Sequence, residues 1–136
     1  MSKKAYLIAG LMGLLGLLGF VGCSETTPEQ QAAEAAQTYY NRLLEGFPDG
    51  FLEGKAGYDS LPAGYRQQLM KANEQYLQDI QQHHEGLHAV AISPNVGRRD
   101  STLHLVYAFL LISYNDSTQE EITVPMVEVD GKWKMR

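Results

Sequence analysis

Residues 102–114 read TLHLVYAFLLISY, and the fold follows from this stretch. Side chains along a strand alternate between two faces. Leu103, Leu105, Tyr107, Phe109 and Leu111 therefore share one face, while Val106, Ala108, Leu110 and Ile112 share the other. Both faces are apolar, so the long strand needs cover on two sides. Downstream, Asn115-Asp116-Ser117 reads as a turn, Glu121 to Val129 as a further strand, and Asp130-Gly131 as a tight hairpin turn into Lys132 to Arg136. Upstream, Leu87 to Ser93 alternates as a first strand, and Pro94 to Gly97 reads as its turn.

Before Gly86 the apolar period is helical instead. Thr27-Pro28-Glu29-Gln30 is a helix start, with Thr27 as N-cap, Pro28 in the first turn and Gln30 placed to complete a capping box. Ala32, Ala33, Ala36, Tyr39, Tyr40, Leu43, Leu44 and Phe47 then recur at helical spacing, giving a helix over Pro28 to Glu45 that Gly46 and Pro48 stop. A short helix fits Pro48 to Glu53. Ser60 and Pro62 open a second long helix, with Tyr65, Leu69, Ala72, Tyr76, Ile80 and His83 on one stripe. Helices first and a meander afterwards predict an α+β domain: two long helices and a short one packed on a curved antiparallel sheet of about four strands. One helical layer covers one sheet face. The other face then meets a second copy of the chain as a homodimer, or lies under the sheet's own curl or the N-terminal loop.

The N-terminal segment has a different composition. Lys3 and Lys4 precede an apolar run from Ala5 to Val21 that ends on Gly22-Cys23, the layout of a secretory signal. Phe20-Val21-Gly22-Cys23 resembles the lipobox of bacterial lipoproteins, with Phe20 where Leu is commoner. An uncleaved anchor is the alternative, yet glycines interrupt the run and no basic stop-transfer cluster follows. The expected division is a signal peptide over 1–22, a lipidated tether over 23–27 and a domain over 28–136. The lipoprotein resemblance implies several acyl chains on Cys23, which together make a durable anchor, and a location in the cell envelope. Ser24 in place of Asp favours the outer membrane.

Cys23 is the sole cysteine, so no intramolecular disulfide can form. Loss of the signal removes two lysines and takes the formal charge from −5 to −7 over the remaining 114 residues. A surface so acidic has no footprint for nucleic acid. The chain holds eight Tyr, four Phe and one Trp, and tyrosine, with its apolar body and wet hydroxyl, points to a core that opens onto a cleft, with ordinary half-buried tyrosines as the alternative.

The order of elements and the closing Val129-Asp130-Gly131-Lys132-Trp133-Lys134 resemble small envelope lipoproteins of the nuclear transport factor two-like superfamily. The resemblance covers about Pro28 to Arg136 and implies a cone in which helices close a bent sheet. Superfamily members include enzymes and binding or dimerisation modules, so function must come from the site.

Candidate chemistry is sparse. His83 and His84 point about 100° apart on a helix, and Gly86 breaks the helix between His84 and His88, so no metal site is expected. His104 and Tyr107 lie on opposite faces of the strand, and Glu120, Glu121, Glu128 and Asp130 sit near strand ends. No catalytic constellation and no cofactor site emerge from these residues. Tyr40, Phe47, Phe51, Tyr58 and Trp133 instead suggest an aromatic ligand pocket at the mouth of the cone, with a packed core as the alternative. The expected function is a membrane-anchored binding or dimerisation module for an envelope protein or a small apolar ligand. A small hydrolase, isomerase or dehydratase with its site in the cone is the second reading.

Overall fold

The computed structural model describes residues 26–136, so the signal segment, Cys23 and the start of the tether lie outside the described residues. Helix α1 spans Pro28–Leu44. Thr27 caps it, its hydroxyl accepting from the Gln30 backbone N–H at 3.1 Å, and Pro28 occupies the first turn. Only half of the capping box forms, because the Gln30 side chain donates to Glu34 Oε1 at 3.1 Å rather than reaching back. Ala32, Ala33 and Ala36 are fully buried. Such small side chains let the helix axis lie close against the sheet, and α1 touches all four strands.

Gly46, at φ +84°, takes the left-handed conformation that ends α1. Helix α2 (Pro48–Leu52) and a 3-10 turn (Tyr58–Ser60) lead into helix α3, Ala63–His84. The sheet consists of β1 (Leu87–Asp100), β2 (Leu105–Tyr114), β3 (Gln119–Val129) and β4 (Lys132–Met135), antiparallel throughout and in the order β1-β2-β3-β4. Three helices on a four-stranded antiparallel sheet match the expected class.

The expected turn at Pro94–Gly97 is a bulge instead. Register passes from Ile92↔Leu110 to Gly97↔Ala108, so Ser93 to Val96 together face only Phe109. Pro94 has no N–H for the ladder, and the Ser93 hydroxyl donates to the Glu121 carboxylate and accepts from the Asn95 backbone N–H at 3.2 Å. Such an insertion bends and twists the sheet. A side chain at Gly97 would meet the Tyr107 carbonyl oxygen at 2.8 Å, so the strand can rejoin β2 there only through glycine. The chain actually reverses at Ser101–His104, where Asp100 Oδ1 accepts from the Leu103 N–H at 3.0 Å. His104, at φ +55°, lies in this turn rather than on the strand.

Inside the cone, Val106, Ala108, Leu110 and Ile112 meet Val124 and Met126 of β3, Val90 of β1 and the alanines of α1. On the opposite face Tyr107, Phe109 and Leu111 are half-exposed. The stripe expected on α3 is only partly used. Ile80 is buried, but Tyr65 is 48% and Tyr76 38% exposed. The helix is fastened at its C-terminal end, where the Asn115 N–H donates to the Gly86 carbonyl at 2.9 Å and the Asp116 N–H to that of His84 at 3.1 Å. Its first half stands clear of the strands.

Candidate ligand cavity

The space left between the first half of α3 and the sheet is a cavity of about 310 Å³. Tyr40 of α1, Phe51 and Leu52 of α2, Leu69 and Asn73 of α3, and Val124 and Met135 of the sheet line it. Tyr40 and Phe51 meet edge to face, ring centroids 4.9 Å apart and planes at 85°, which fixes the aromatic wall. Its floor is stitched shut by the end of the chain. The Met135 N–H donates to the Gly54 carbonyl and the Ala56 N–H to the Met135 carbonyl, both at 2.7 Å. Lys55 and Arg136 are the cations of the lining.

Asn73 is the unusual wall residue. It is 6% exposed, and its Nδ2 has no hydrogen-bond partner. A buried donor left unpaired costs about 1–3 kcal/mol, so buried amides are nearly always satisfied. This one lines a space large enough for a small molecule. Burial pushes the Tyr40 phenol up to about 12, with Tyr76 beside it adding to the shift. Tyr76 is raised by burial and then by Glu120. Tyr114 is raised by burial and by its hydrogen bond to Glu120 Oε2 at 2.9 Å. All three hydroxyls therefore stay protonated at neutral pH and act as donors. Among the described residues, no Asp, Glu or His side chain lines this cavity.

The structure brings together only two of the aromatics singled out by sequence. Tyr40 and Phe51 pack on each other in the cavity wall. Phe47 is 64% exposed ahead of α2, and Tyr58 sits in the 3-10 turn outside the lining. Trp133 belongs to a separate cleft with Pro28, Gln31, Arg99 and His104. Its indole N–H donates to Gln31 Oε1 at 3.3 Å. Asn73 escaped the sequence reading, yet a signal was there. It sits four residues after Leu69 and seven before Ile80, a polar side chain on the apolar stripe.

A second polar group lies where the β2–β3 turn meets the end of α3. The His84 ring stacks on Tyr114 at 4.1 Å and 12°, and its Nδ1 lies 3.0 Å from Asp116 Oδ2. Hydrogen bonds from Thr118, and then the one with His84, hold the Asp116 carboxyl below the usual carboxylate range. Together with the two backbone bonds described above, these contacts clamp the turn to the helix. His88 is on β1, past the helix break at Glu85 and Gly86.

Neither a family model nor a curated protein sequence matches the chain. A solved structure does: a proposed NTF2-like transpeptidase from Campylobacter jejuni superposes with a TM-score of 0.57 at 10% identity, over 75% of this chain and 94% of that one. At that identity the likeness speaks for architecture alone, and it agrees with the helix order and the bent four-stranded sheet described above. The chain therefore has the nuclear transport factor two-like α+β fold.

Proposed function

We propose that the domain is a non-enzymatic binding module, held at a bacterial envelope membrane by lipid on Cys23, that takes a small apolar molecule into the Asn73 cavity. The unpaired Asn73 amide carries this reading. An occupant with one acceptor oxygen, a carbonyl or ether, would satisfy the donor while its apolar body covers Tyr40, Phe51 and Leu69. At about 310 Å³ the cavity stands at the lower end of the range for small-molecule pockets, about 300–1,000 Å³. The second reading, a small hydrolase, isomerase or dehydratase, needs an acid or base at the substrate. The described lining holds no Asp, Glu or His side chain, and burial keeps its Tyr40 phenol protonated, which favours binding over turnover. For the anchor, the support is the signal pattern ending on a lone cysteine, with Ser24 directing the chain to the outer membrane.

Prodan, an apolar fluorophore with one carbonyl, tests the cavity. It is expected to bind one-to-one with a blue-shifted emission. Leu69→Trp, which places a large ring in the space from the loosely packed side of α3, is expected to weaken binding at least tenfold. Unchanged binding to that variant would sink the reading. The half-exposed Tyr107, Phe109 and Leu111 on the outer sheet face support a homodimer as part of the same proposal. Sedimentation equilibrium decides that point, and a monomer at micromolar concentration would remove it.

A further inference from the structure

Two hairpin tips and the start of α1 share one end of the fold. The Val106↔Met126 pair fixes the level of β2 against β3. Leu103, in the turn before β2, and Val129, the last residue of β3, therefore both stand at this end of the sheet. The two hairpins are neighbours in the sheet, joined through the β2–β3 ladder. Both residues are bare apolar side chains, Leu103 52% and Val129 42% exposed.

The tether starts at this same end. Glu29, in the first turn of α1, pairs with Arg99 at 2.9 Å, next to the β1–β2 turn, and Gln31 accepts from the Trp133 indole. Pro28 itself borders the cleft that holds Arg99, His104 and Trp133. Five Cα–Cα steps separate Pro28 from Cys23, at most about 17 Å of chain. The β2–β3 turn lies at the far end of a ten-residue strand, about 33 Å away.

We infer that this end of the domain rests on the lipid surface, with Leu103 and Val129 dipping into the interface. The inference depends on the anchoring half of the proposed function. A short tether raises the local concentration of membrane seen by the tips to the millimolar range, so two apolar side chains suffice to set orientation. Charge does not: Arg99 is already paired with Glu29, and Asp100, Glu128 and Asp130 outnumber Lys132 around these two turns. A zwitterionic surface is therefore enough. The cavity between α3 and the sheet, and the outer face around Phe109 and Leu111, stay free of the bilayer contact.

The chain from Cys23 onward contains every residue of the described fold, and Cys23 is its one thiol. Coupled through that thiol to a maleimide phospholipid, it can be mounted on phosphatidylcholine nanodiscs that carry a gadolinium headgroup lipid. Amide NMR signals of Ser101–His104 and Val129–Gly131 are expected to broaden most, and those of Asn115–Thr118 least. Leu103→Asp with Val129→Asp, both exposed positions, is expected to reduce that contrast at least twofold. Uniform broadening overturns the inference, as does a contrast that survives the double substitution, because the tether alone would then explain it. Absence of acyl label on the chain in cells would remove the anchoring proposal and leave this pattern readable.

Discussion

Leu110→Ala is expected to lower the free energy of unfolding by about 2–5 kcal/mol, the range for a large aliphatic truncated inside a packed core. Leu110 is fully buried at the centre of β2, paired with Ile92 on one side and Ile122 on the other. Its neighbours are held by ladder hydrogen bonds on both edges, so they cannot move in to fill the space. A domain of this size has about 5–15 kcal/mol in hand, so the loss is a large share of its stability. Urea denaturation should show a lower midpoint at an unchanged slope. Leu111→Ala, one position along and turned outward, should cost clearly less. Equal losses would mean that the two faces have been assigned wrongly.

The second substitution, Asn73→Leu, is expected to act in the opposite direction on stability. Leucine shares asparagine's branching at Cγ and removes the unpaired amide, and the extra bulk of its methyl groups has the cavity to enter. Replacing an unsatisfied buried polar group by an apolar one of like shape should stabilise the empty protein by about 1–3 kcal/mol. Prodan affinity should fall about three- to tenfold in the same variant, the equivalent of one net hydrogen bond of about 0.5–1.5 kcal/mol. Opposite signs are the diagnostic. An asparagine kept for structure would lose stability on replacement, and a bland wall residue would leave affinity unchanged.

Much of this architecture was legible in residues. The change of period at Gly86, the Asp130-Gly131 turn and the Thr27-Pro28 start each follow from local backbone preferences, and each stands where expected. The misplaced elements depended on distant partners. Pro94 and Gly97 are turn residues in isolation, but Glu121, 28 positions on from Ser93, holds the Ser93 hydroxyl and turns the segment into a bulge within one strand. Leucines on either side of His104 alternate as in a strand, whereas the Asp100 side chain closes a turn there. Among the aromatics, composition could suggest a cleft, but which rings meet depends on how α2 folds back on α1 after the Gly46 turn. Tyr40 and Phe51 came together, while Trp133 went to the other side of α1. The decisive group was the polar interruption of an apolar stripe, Asn73, whose importance lies in its lack of a partner. Satisfaction of hydrogen bonds is a property of the folded chain.

The test that bears most directly on the cavity is amide NMR, including side-chain amides, during titration of the full domain with prodan. The largest shifts are expected at the Asn73 side-chain NH₂, with smaller ones at Tyr40, Phe51 and Val124, and none at Asn115–Thr118. Shifts centred on Tyr107, Phe109 and Leu111, or scattered without saturation, would place the apolar binding surface outside the cone and contradict the proposed function.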